Sequence, residues 1–259
     1  MEYLIAPQSY YTSSSAIVHA SSIETIEQKV IQTVSKYFDC SPLSLNILRL
    51  GGYTNWNFKV ILDGKLYFAK LGNPSGEILN VSLLNEVVCR AILRDYELTL
   101  PVLFYDAEEA IMITEFITGR DWNISNVSIS EQYFNALRCL HGLKVQFPKE
   151  FCPFQTIQTY MTDVVKMGVC LPYDRFDRLM PKLYALKHRL PIVEKVPCHL
   201  DPQIANVLVT DDKIYLVDWE CAAMGDPFFD LASLCASEEF SDNDMHDLLS
   251  QYLKRLPSK

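Results

Sequence analysis

The 259-residue sequence lacks any apolar run that approaches the roughly 20 residues needed to cross a bilayer. It also lacks the basic start and following apolar stretch of a secretory signal, and it has no excess of positive charge. Its 23 basic and 32 acidic residues give a formal net charge of -9, and a surface of that sign repels nucleic acid and anionic lipid headgroups. We therefore expect a cytoplasmic protein that neither inserts into membranes nor binds nucleic acid.

The eight cysteines do not form a Cys-x-x-Cys pair anywhere in the sequence. Structural zinc sites usually take their ligands from such closely spaced pairs, so this spacing disfavours a zinc site. The chain does have 49% hydrophobic and 21% charged residues, the composition of a globular protein with enough apolar material for a core. Typical domain sizes then predict one large domain or two lobes, and two lobes is our starting expectation.

The N-terminal region divides into a segment without a hydrophobic period and a segment with one. Residues 7–20 are rich in Ser and Tyr, which predicts a loosely ordered segment or a surface strap. Ser21 and Glu24 then form a capping box ahead of apolar residues at helical spacing, so we expect an amphipathic helix from Ser21 to near Phe38. Residues 1–44 would thus be an N-terminal strap and helix.

Residues 45–118 are predicted to form a small, β-rich N-lobe. From residue 46 the apolar period changes from helical to alternating, and Asp63-Gly64 between two alternating segments is a strong signal for a two-residue hairpin turn. Three antiparallel strands follow from this pattern. A helix is then predicted over SLLNEVVCRAILRDY, followed by a second hairpin that closes near Glu115, which gives about five strands and one internal helix.

Residues 119–259 are predicted to form a larger, mostly helical C-lobe. The pattern predicts a helix over SEQYFNALRCLHGL, helices from about 155 to 190 interrupted by Pro172 and Pro181, and final helices near 230–239 and 243–255. Short strands over NVLVT and KIYLVD form a hairpin between these helices. A β-rich lobe joined to a helical lobe leaves a cleft, where ligands commonly bind.

One segment in the second half of the chain carries most of the chemistry, because Asp201, Asn206 and Asp218 surround its predicted hairpin. Carboxylate and amide oxygens are ligands that Mg²⁺ accepts while it keeps substrate phosphates in its shell. An opposing Asp can take the proton of an attacking hydroxyl. Singly, each residue has a commoner structural explanation, since Asp before Pro forms turns, Asn caps helices and Asp-Trp ends strands. Their joint spacing favours a phosphoryl-transfer site.

Several stretches occur in a distinctive order along the chain: Gly51-Gly-Tyr-Thr-Asn55, His199-Leu-Asp-Pro-Gln-Ile-Ala-Asn206, Leu216-Val-Asp-Trp-Glu220 and Gly225-Asp-Pro-Phe-Phe-Asp230. In this order they resemble the choline and ethanolamine kinase branch of the aminoglycoside phosphotransferase superfamily, whose members are related to the protein kinases. The resemblance spans about residues 45 to 255. It implies an α+β, protein-kinase-like bilobal fold, with a small β-rich N-lobe around one main helix and a larger, mostly helical C-lobe.

The resemblance implies a role for each matching residue. Asp201 would be the catalytic base, and Asn206 with Asp218 would be the magnesium ligands. Lys70, in an alternating strand, resembles the lysine that holds the α and β phosphates of the nucleotide. Glu86, on the following helix, lies where the family places the acidic partner of that lysine.

Two further residues resemble supports of the catalytic loop rather than parts of the reaction. His199 matches a histidine that packs and hydrogen-bonds beneath the catalytic Asp. Asp230 matches an acid that braces the loop backbone from the start of a helix. We expect structural roles for both.

The nucleotide site is implied mainly through backbone groups. The N–H groups of the loop after the first strand are expected to face the β and γ phosphates as an anion nest does: Gly52, Tyr53, Thr54 and Asn55. The connector from Glu115 to Ile117 would offer backbone groups to the base. ATP follows from the resemblance, and GTP stays an alternative because backbone contacts say little about the choice of nucleotide.

The resemblance implies that the acceptor is a choline-like amino alcohol, since aromatic faces and carboxylates hold an ammonium group well. Gln203 matches a residue that lies beside the substrate in many choline kinases, and Glu220 sits just past the metal-binding Asp, so we assign both to the substrate. Trp219 and Phe228 are aromatic candidates, although residues beside such motifs are more often core. Many chains of this branch continue with helices that add aromatic residues to the pocket. We therefore expect a more open pocket, with ethanolamine, thiamine or an aminosugar as alternative acceptors.

Two other classes of function are disfavoured. A pseudokinase that binds nucleotide without turnover would not need Lys70, Glu86, Asp201, Asn206 and Asp218 together. A protein kinase would carry D-F-G and A-P-E segments, and here D-W-E stands where D-F-G would be. The sequence leaves the oligomeric state open.

Overall fold

The computed structural model describes residues 13–51, 54–73, 81–120, 122–123, 127–168 and 173–254. The first element is one long helix, α1 (Ser13–Phe38), which begins ahead of the predicted start at Ser21. The expectation of a loosely ordered segment is therefore wrong from Ser13 onward, while residues 7–12 lie outside the described part of the chain. No Pro or Gly stands between Ser13 and Ser21, so nothing in the sequence stops the helix there.

Five strands of the N-lobe form one antiparallel sheet: β1 (Leu45–Leu50), β2 (Trp56–Leu62), β3 (Lys65–Leu71), β4 (Val102–Asp106) and β5 (Ile111–Glu115). Their order in the sheet is β1-β2-β3-β5-β4. Asp63 and Gly64 join β2 to β3 with φ of 49° and 75°, the left-handed conformation that the predicted two-residue turn requires. Helix α2 (Leu83–Leu93) follows β3 in the chain and is capped by Ser82. Both hairpins and the internal helix are as predicted.

Helix α1 packs against this sheet through the apolar stripe that predicted it. Val30 and Val34 of α1 are fully buried in one cluster with Phe58 and Val60 of β2 and with Ile113 of β5. The alternation along β2 places Phe58 and Val60 on the same face, which is why an alternating segment can meet an amphipathic helix.

We expect Val34→Ala to lower the free energy of unfolding by about 2 kcal/mol, because the substitution removes buried methyl groups and leaves a space unfilled. Gln32→Ala, on the exposed side of α1, is the matched control and is expected to change it by less than about 0.5 kcal/mol. Urea unfolding followed by circular dichroism measures both values. A Val34→Ala effect no larger than that of the control would mean that α1 is not docked on the sheet.

The C-lobe contains the remaining described helices: α3 (Val127–Gly142), α4 (Pro153–Lys166), α5 (Tyr173–Lys187), α6 (Pro227–Ser237) and α7 (Asp242–Leu253). Two short antiparallel strand pairs lie among them: β6 (Val196–Cys198) with β9 (Ala223–Gly225), and β7 (Val207–Val209) with β8 (Ile214–Leu216). The β7–β8 hairpin was predicted. The β6–β9 pair was not, because strands of three residues are too short to show an alternating pattern.

Helix α5 departs from the sequence prediction at Pro181. The residue lies inside α5 rather than at a break between helices, so the predicted interruption at this position is wrong. Most of α5 is exposed, so water can hydrogen-bond the carbonyl that loses its N–H partner to the proline. Pro172 lies outside the described residues.

The α+β architecture expected from the sequence is thus confirmed, with a small β-rich lobe around α2 and a larger, mostly helical lobe. The core of the C-lobe collects its largest buried side chains around Tyr133, Phe134 and Trp219. Within the described ranges, none of the helices combines the length and apolar character that a membrane span requires.

Candidate active site

The β7–β8 hairpin brings together the predicted catalytic residue, Asp201, and the predicted magnesium ligands, Asn206 and Asp218. Val207 pairs with Leu216 across the hairpin, and the Val217 N–H donates to the Asn206 carbonyl at 2.9 Å, which places Asn206 beside the segment that carries Asp218. The Asn206 Nδ2 group donates to the Asp201 carbonyl at 2.9 Å and to its carboxylate Oδ2 at 2.8 Å. The spacing in the sequence therefore corresponds to real proximity.

A second side chain orients the Asp201 carboxylate. Gln203 Nε2 donates to Asp201 Oδ2 at 3.1 Å, the same oxygen that accepts from Asn206. Because both amide donors bind Oδ2, Oδ1 is the Asp201 oxygen that can accept a hydrogen bond from an incoming hydroxyl. The predicted substrate residue Gln203 is thus in contact with the predicted base.

The loop before Asp201 is supported from beneath by His199 and Asp230, as predicted. Asp230, in the first turn of α6, is fully buried, and its two carboxylate oxygens accept the backbone N–H groups of His199 at 2.9 Å and Leu200 at 2.7 Å. The ring of His199 accepts the Asp201 N–H at Nδ1 and donates from Nε2 to the Val217 carbonyl at 2.9 Å. These contacts fix the loop although Leu200 has a φ of +67°.

Lys70 of β3 lies at the centre of a buried charge network. Its Nζ contacts Glu86 of α2 at 2.7 Å, Asp218 at 2.6 Å and Glu220 at 3.7 Å. Burial by itself lowers the pKa of the Lys70 ammonium, but the three surrounding carboxylates outweigh burial and raise that pKa above its usual value. Lys70 is therefore a permanent cation here, and the predicted pair of Lys70 with Glu86 is formed.

The network contains three carboxyl groups and two cations, Lys70 and Arg90, the latter contacting Glu86 at 2.8 Å. It therefore carries one surplus negative charge when Glu220 is ionised, above its pKa of about 7. Oxygens of Glu86, Asp218 and Glu220 all lie within 4.8 Å of one another. The oxygens of Glu86 and Glu220 are taken by Lys70, Arg90, Thr54 and Asn55, but the Asp218 carboxylate and the Asn206 amide oxygen both belong to residues that line the cavity, and such oxygens fit Mg²⁺.

Two of the three carboxyls near Lys70, those of Asp218 and Glu220, have pKa values shifted in opposite directions. Burial raises the pKa of Asp218, but the Lys70 ammonium outweighs burial and holds that pKa below its usual range. Burial, and after it the charge of Asp218, raise the pKa of Glu220 to about 7. Asp218, which accepts from Lys70 Nζ at 2.6 Å, is therefore the firmly ionised member.

The β1–β2 loop reaches the same network through its side chains. Thr54 Oγ1 donates to Glu220 Oε1 and Asn55 Nδ2 donates to Glu220 Oε2, each at 2.5 Å. Asn57 Nδ2 donates to the Gly51 carbonyl at 2.9 Å, which closes the base of the loop. The predicted loop residues Gly52 and Tyr53 lie outside the described residues.

These contacts also show which residues the sequence did not reveal. Asn85 of α2 donates from Nδ2 to the Ala222 carbonyl at 2.9 Å and to the Glu220 carbonyl at 3.4 Å. Nothing near Asn85 in the sequence signals a link to residues more than a hundred positions away. Arg90 is also absent from the sequence prediction. Its i,i+4 spacing to Glu86 on one helix is a local signal that predicts this ion pair.

A cavity of about 970 Å³ lies between the sheet and the β7–β8 hairpin. Every described residue assigned to the site lines it except Glu86, which is buried behind Lys70: Thr54, Asn55, Lys70, Glu115, Ile117, Asp201, Gln203, Asn206, Asp218 and Glu220. Trp122 also lines the cavity, whereas Trp219 is fully buried in the C-lobe core and Phe228 is 45% exposed.

The connector after β5 borders this cavity, because Glu115 and Ile117 are both among its lining residues. The Phe116 N–H donates to the Leu66 carbonyl of β3 at 3.1 Å, and the Glu115 carbonyl accepts the Thr114 hydroxyl at 2.9 Å. The role of these backbone groups in holding a base stays a prediction.

Comparison with known proteins agrees with this geometry. Protein LicA of Haemophilus influenzae is 24% identical over 220 residues, which are 81% of this chain and 63% of that protein, so the chain spans less than two thirds of that relative. The crystal structure of choline kinase LicA from Streptococcus pneumoniae has a TM-score of 0.77 and 25% identity, covering 88% of this chain and 80% of that chain. A crystal structure of LicA in complex with AMP has a TM-score of 0.72 and 25% identity, covering 86% and 79%.

The resemblance read from the sequence motifs is confirmed by these relatives and by a match at the level of the family. The phosphotransferase enzyme family model matches residues 47–259, which include the sheet, the network around Lys70 and the loop of Asp201. The chain therefore belongs to the phosphotransferase enzyme family.

Proposed function

We propose that the protein is a magnesium-dependent kinase that transfers the γ-phosphate of ATP to the hydroxyl of a choline-like amino alcohol. The observation that carries the proposal is that Lys70, Asp201 and Asp218 line a single cavity. The choice of substrates is supported by the relatives, since one solved structure is that of a choline kinase and another contains AMP.

The two lobes of the proposed kinase are residues 45–118 and 119–259, preceded by the segment 1–44. Gly119 supports the boundary, because a Cβ at this position would lie 3.2 Å from the Leu208 side chain of β7. Glycine therefore lets the connector pass close to the hairpin without any shift of the Leu208 side chain.

The nucleotide lies between the sheet and the hairpin. Backbone groups of Glu115 and Ile117 bind the base, and the N–H groups of the loop that contains Thr54 and Asn55 face the phosphates. The permanent charge of Lys70 holds the α and β phosphates. Because Lys70 is fixed on both sides by carboxylates, it is in position before the nucleotide arrives.

In the proposed reaction the acceptor hydroxyl lies against Asp201. Asp201 takes the hydroxyl proton as the oxygen forms a bond to the γ-phosphorus in line with the leaving group, the bond from that phosphorus to the bridging oxygen breaks, and ADP leaves. Gln203 donates to Asp201 and lines the cavity, which supports its assignment to the substrate site. The cationic end of the alcohol is favoured by the acidic surplus of the site.

Asn206 and Asp218 would hold Mg²⁺, which when bound neutralises charge on the transferred phosphate. We expect removal of divalent cations with EDTA to reduce ADP release at least tenfold, and added Mg²⁺ to restore it, because the leftover negative charge near Lys70 otherwise repels the triphosphate. ADP release, quantified by chromatography of quenched samples so that no Mg²⁺-dependent coupling enzyme is needed, measures this. Turnover that persists in a stoichiometric excess of EDTA would contradict the assignment of a divalent cation.

The acceptor is tested by ADP release with Mg²⁺ and ATP in the presence of choline, ethanolamine, thiamine or an aminoglycoside. The expected result is the highest kcat/KM for choline. A higher value for another alcohol would replace the proposed substrate but leave the kinase in place. Nucleotide binding without ADP release above the no-acceptor rate for any of the four would favour a binding module instead.

A further inference from the structure

We propose that Glu220 is a positioning residue, whose carboxylate ties the β1–β2 loop to the turn after Asp218 and so sets where the nucleotide phosphates bind. The inference rests on the proposed function and gives Glu220 a role different from the substrate contact that the sequence predicts. It concerns the nucleotide half of the site, so it can be tested without knowing the acceptor.

The first observation is that both oxygens of Glu220 are already used. Oε1 accepts the Thr54 hydroxyl and Oε2 accepts the Asn55 amide. Glu220 and Asn55 are each only 6% exposed, so water does not compete for this pair. A buried hydrogen bond to a charged group is stronger than a neutral one and costly to break.

The second observation is that Asn55 is held at its other end. Its Oδ1 accepts the Asn73 N–H, just beyond β3, at 3.0 Å. A backbone N–H can only donate, so this contact fixes Oδ1 and leaves the Nδ2 group as the one that faces Glu220. Rotating the amide would break both contacts, and Asn55 therefore joins β3, the loop and Glu220 in one arrangement.

The third observation is that the turn beneath Glu220 is itself anchored. Trp219 is fully buried and donates from Nε1 to the Leu216 carbonyl at 2.9 Å. Asn85 of α2 binds the Glu220 and Ala222 carbonyls from the N-lobe side. The backbone around Glu220 is thus held in place. We therefore expect that loss of the Glu220 carboxylate would release the loop that carries Thr54.

A contact with the cationic alcohol fits Glu220 less well. Both of its oxygens accept hydrogen bonds from the loop, and the Lys70 ammonium lies 3.7 Å from Oε2. A carboxylate that is buried, hydrogen-bonded and next to a cation has little left to offer a second cation. Removing Glu220 should therefore affect the nucleotide before it affects the alcohol.

The test is Glu220→Gln, measured by direct titration of ATP with Mg²⁺ and by steady-state kinetics with both substrates varied. The amide can accept only one of the two donors, so we expect the Kd and KM for ATP to rise about tenfold. The KM for the acceptor is expected to stay within twofold. Glu108→Gln, an exposed acid on the β4–β5 turn, is the matched control and is expected to leave all three values unchanged.

Two further variants make the result specific to this contact. Asn55→Ala removes the donor to Oε2 and Glu220→Ala removes both acceptor oxygens, so the double variant Asn55→Ala/Glu220→Ala is expected to bind ATP no more weakly than Glu220→Ala alone. If Glu220→Gln does not fold, Thr54→Val breaks the other bond from the loop side and is expected to weaken ATP binding several-fold.

Other outcomes overturn the proposal. A higher KM for the acceptor with unchanged ATP binding would make Glu220 a substrate contact, and unchanged values for both would remove it from the site. Additive effects in the double variant would mean that Asn55 and Glu220 act separately. If the unmodified protein binds no nucleotide, the proposed function fails first, which the titration of that protein shows by itself.

Discussion

Asp201→Asn is expected to lower kcat by about 10²- to 10⁴-fold, because an amide cannot take the proton of the acceptor hydroxyl. The side chain keeps its shape, so the Kd for ATP is expected to stay within about threefold. Asn206 and Gln203 both donate to Oδ2 of Asp201, and the oxygen of an asparagine can still accept from them. Stopped-time ADP release gives kcat, and direct titration gives the Kd.

The matched control for this substitution is Asp212→Asn. Asp212 is exposed at the tip of the same β7–β8 hairpin, so the same chemical change there is expected to leave kcat within twofold. An Asp201→Asn protein that retains more than a tenth of the original kcat would show that proton transfer is not the role of this carboxylate.

Asp230→Ala is expected to lower the free energy of unfolding by about 3–5 kcal/mol. The fully buried carboxylate accepts the backbone N–H groups of His199 and Leu200 and contacts His141 Nε2 at 3.0 Å, and alanine would leave all of these groups without this acceptor. Equilibrium unfolding in urea, followed by tryptophan fluorescence, measures the loss. Asp230→Asn, which keeps one acceptor oxygen, is expected to lose an intermediate amount.

An exposed acid in the next helix provides the comparison for Asp230. Asp247→Ala in α7 is expected to change the free energy of unfolding by less than about 0.5 kcal/mol. If Asp230→Ala lowers the free energy of unfolding by no more than this, the loop around Leu200 must hold its conformation without the Asp230 carboxylate, despite the positive φ of Leu200.

The N-lobe could be predicted from the sequence because its signals are local. The Asp63-Gly64 turn, the alternation along β2 and β3, and the helical spacing of apolar residues in α2 each act within a few residues, and tertiary contacts do not override them. The predicted start of α1 at Ser21 is wrong because a capping box marks a favourable helix start, not an obligatory one. With no residue to break the helix upstream, it continues to Ser13.

The site was predictable only where spacing or family resemblance supplied the pairing. Asp201, Asn206 and Asp218 belong to one hairpin, so their proximity follows from the sequence. Asn55 lies 165 positions from Glu220 in the sequence, and Asn85 lies 135 positions from it. No local pattern encodes contacts over such separations. The predicted break at Pro181 is wrong although proline is a strong local signal. The residue lies inside α5, where water can replace the backbone hydrogen bond that proline removes.

The grip of Asn85 on the backbone of the turn after Asp218 has a consequence for control. In kinases that are switched, the helix bearing the acidic partner of the lysine swings away to disable the enzyme. Here the buried amide of Asn85 joins that helix to the backbone of the opposite lobe, and the ion pair from Lys70 to Glu86 is formed. In the proposed kinase we therefore expect this helix to stay in place between turnovers rather than to act as a switch.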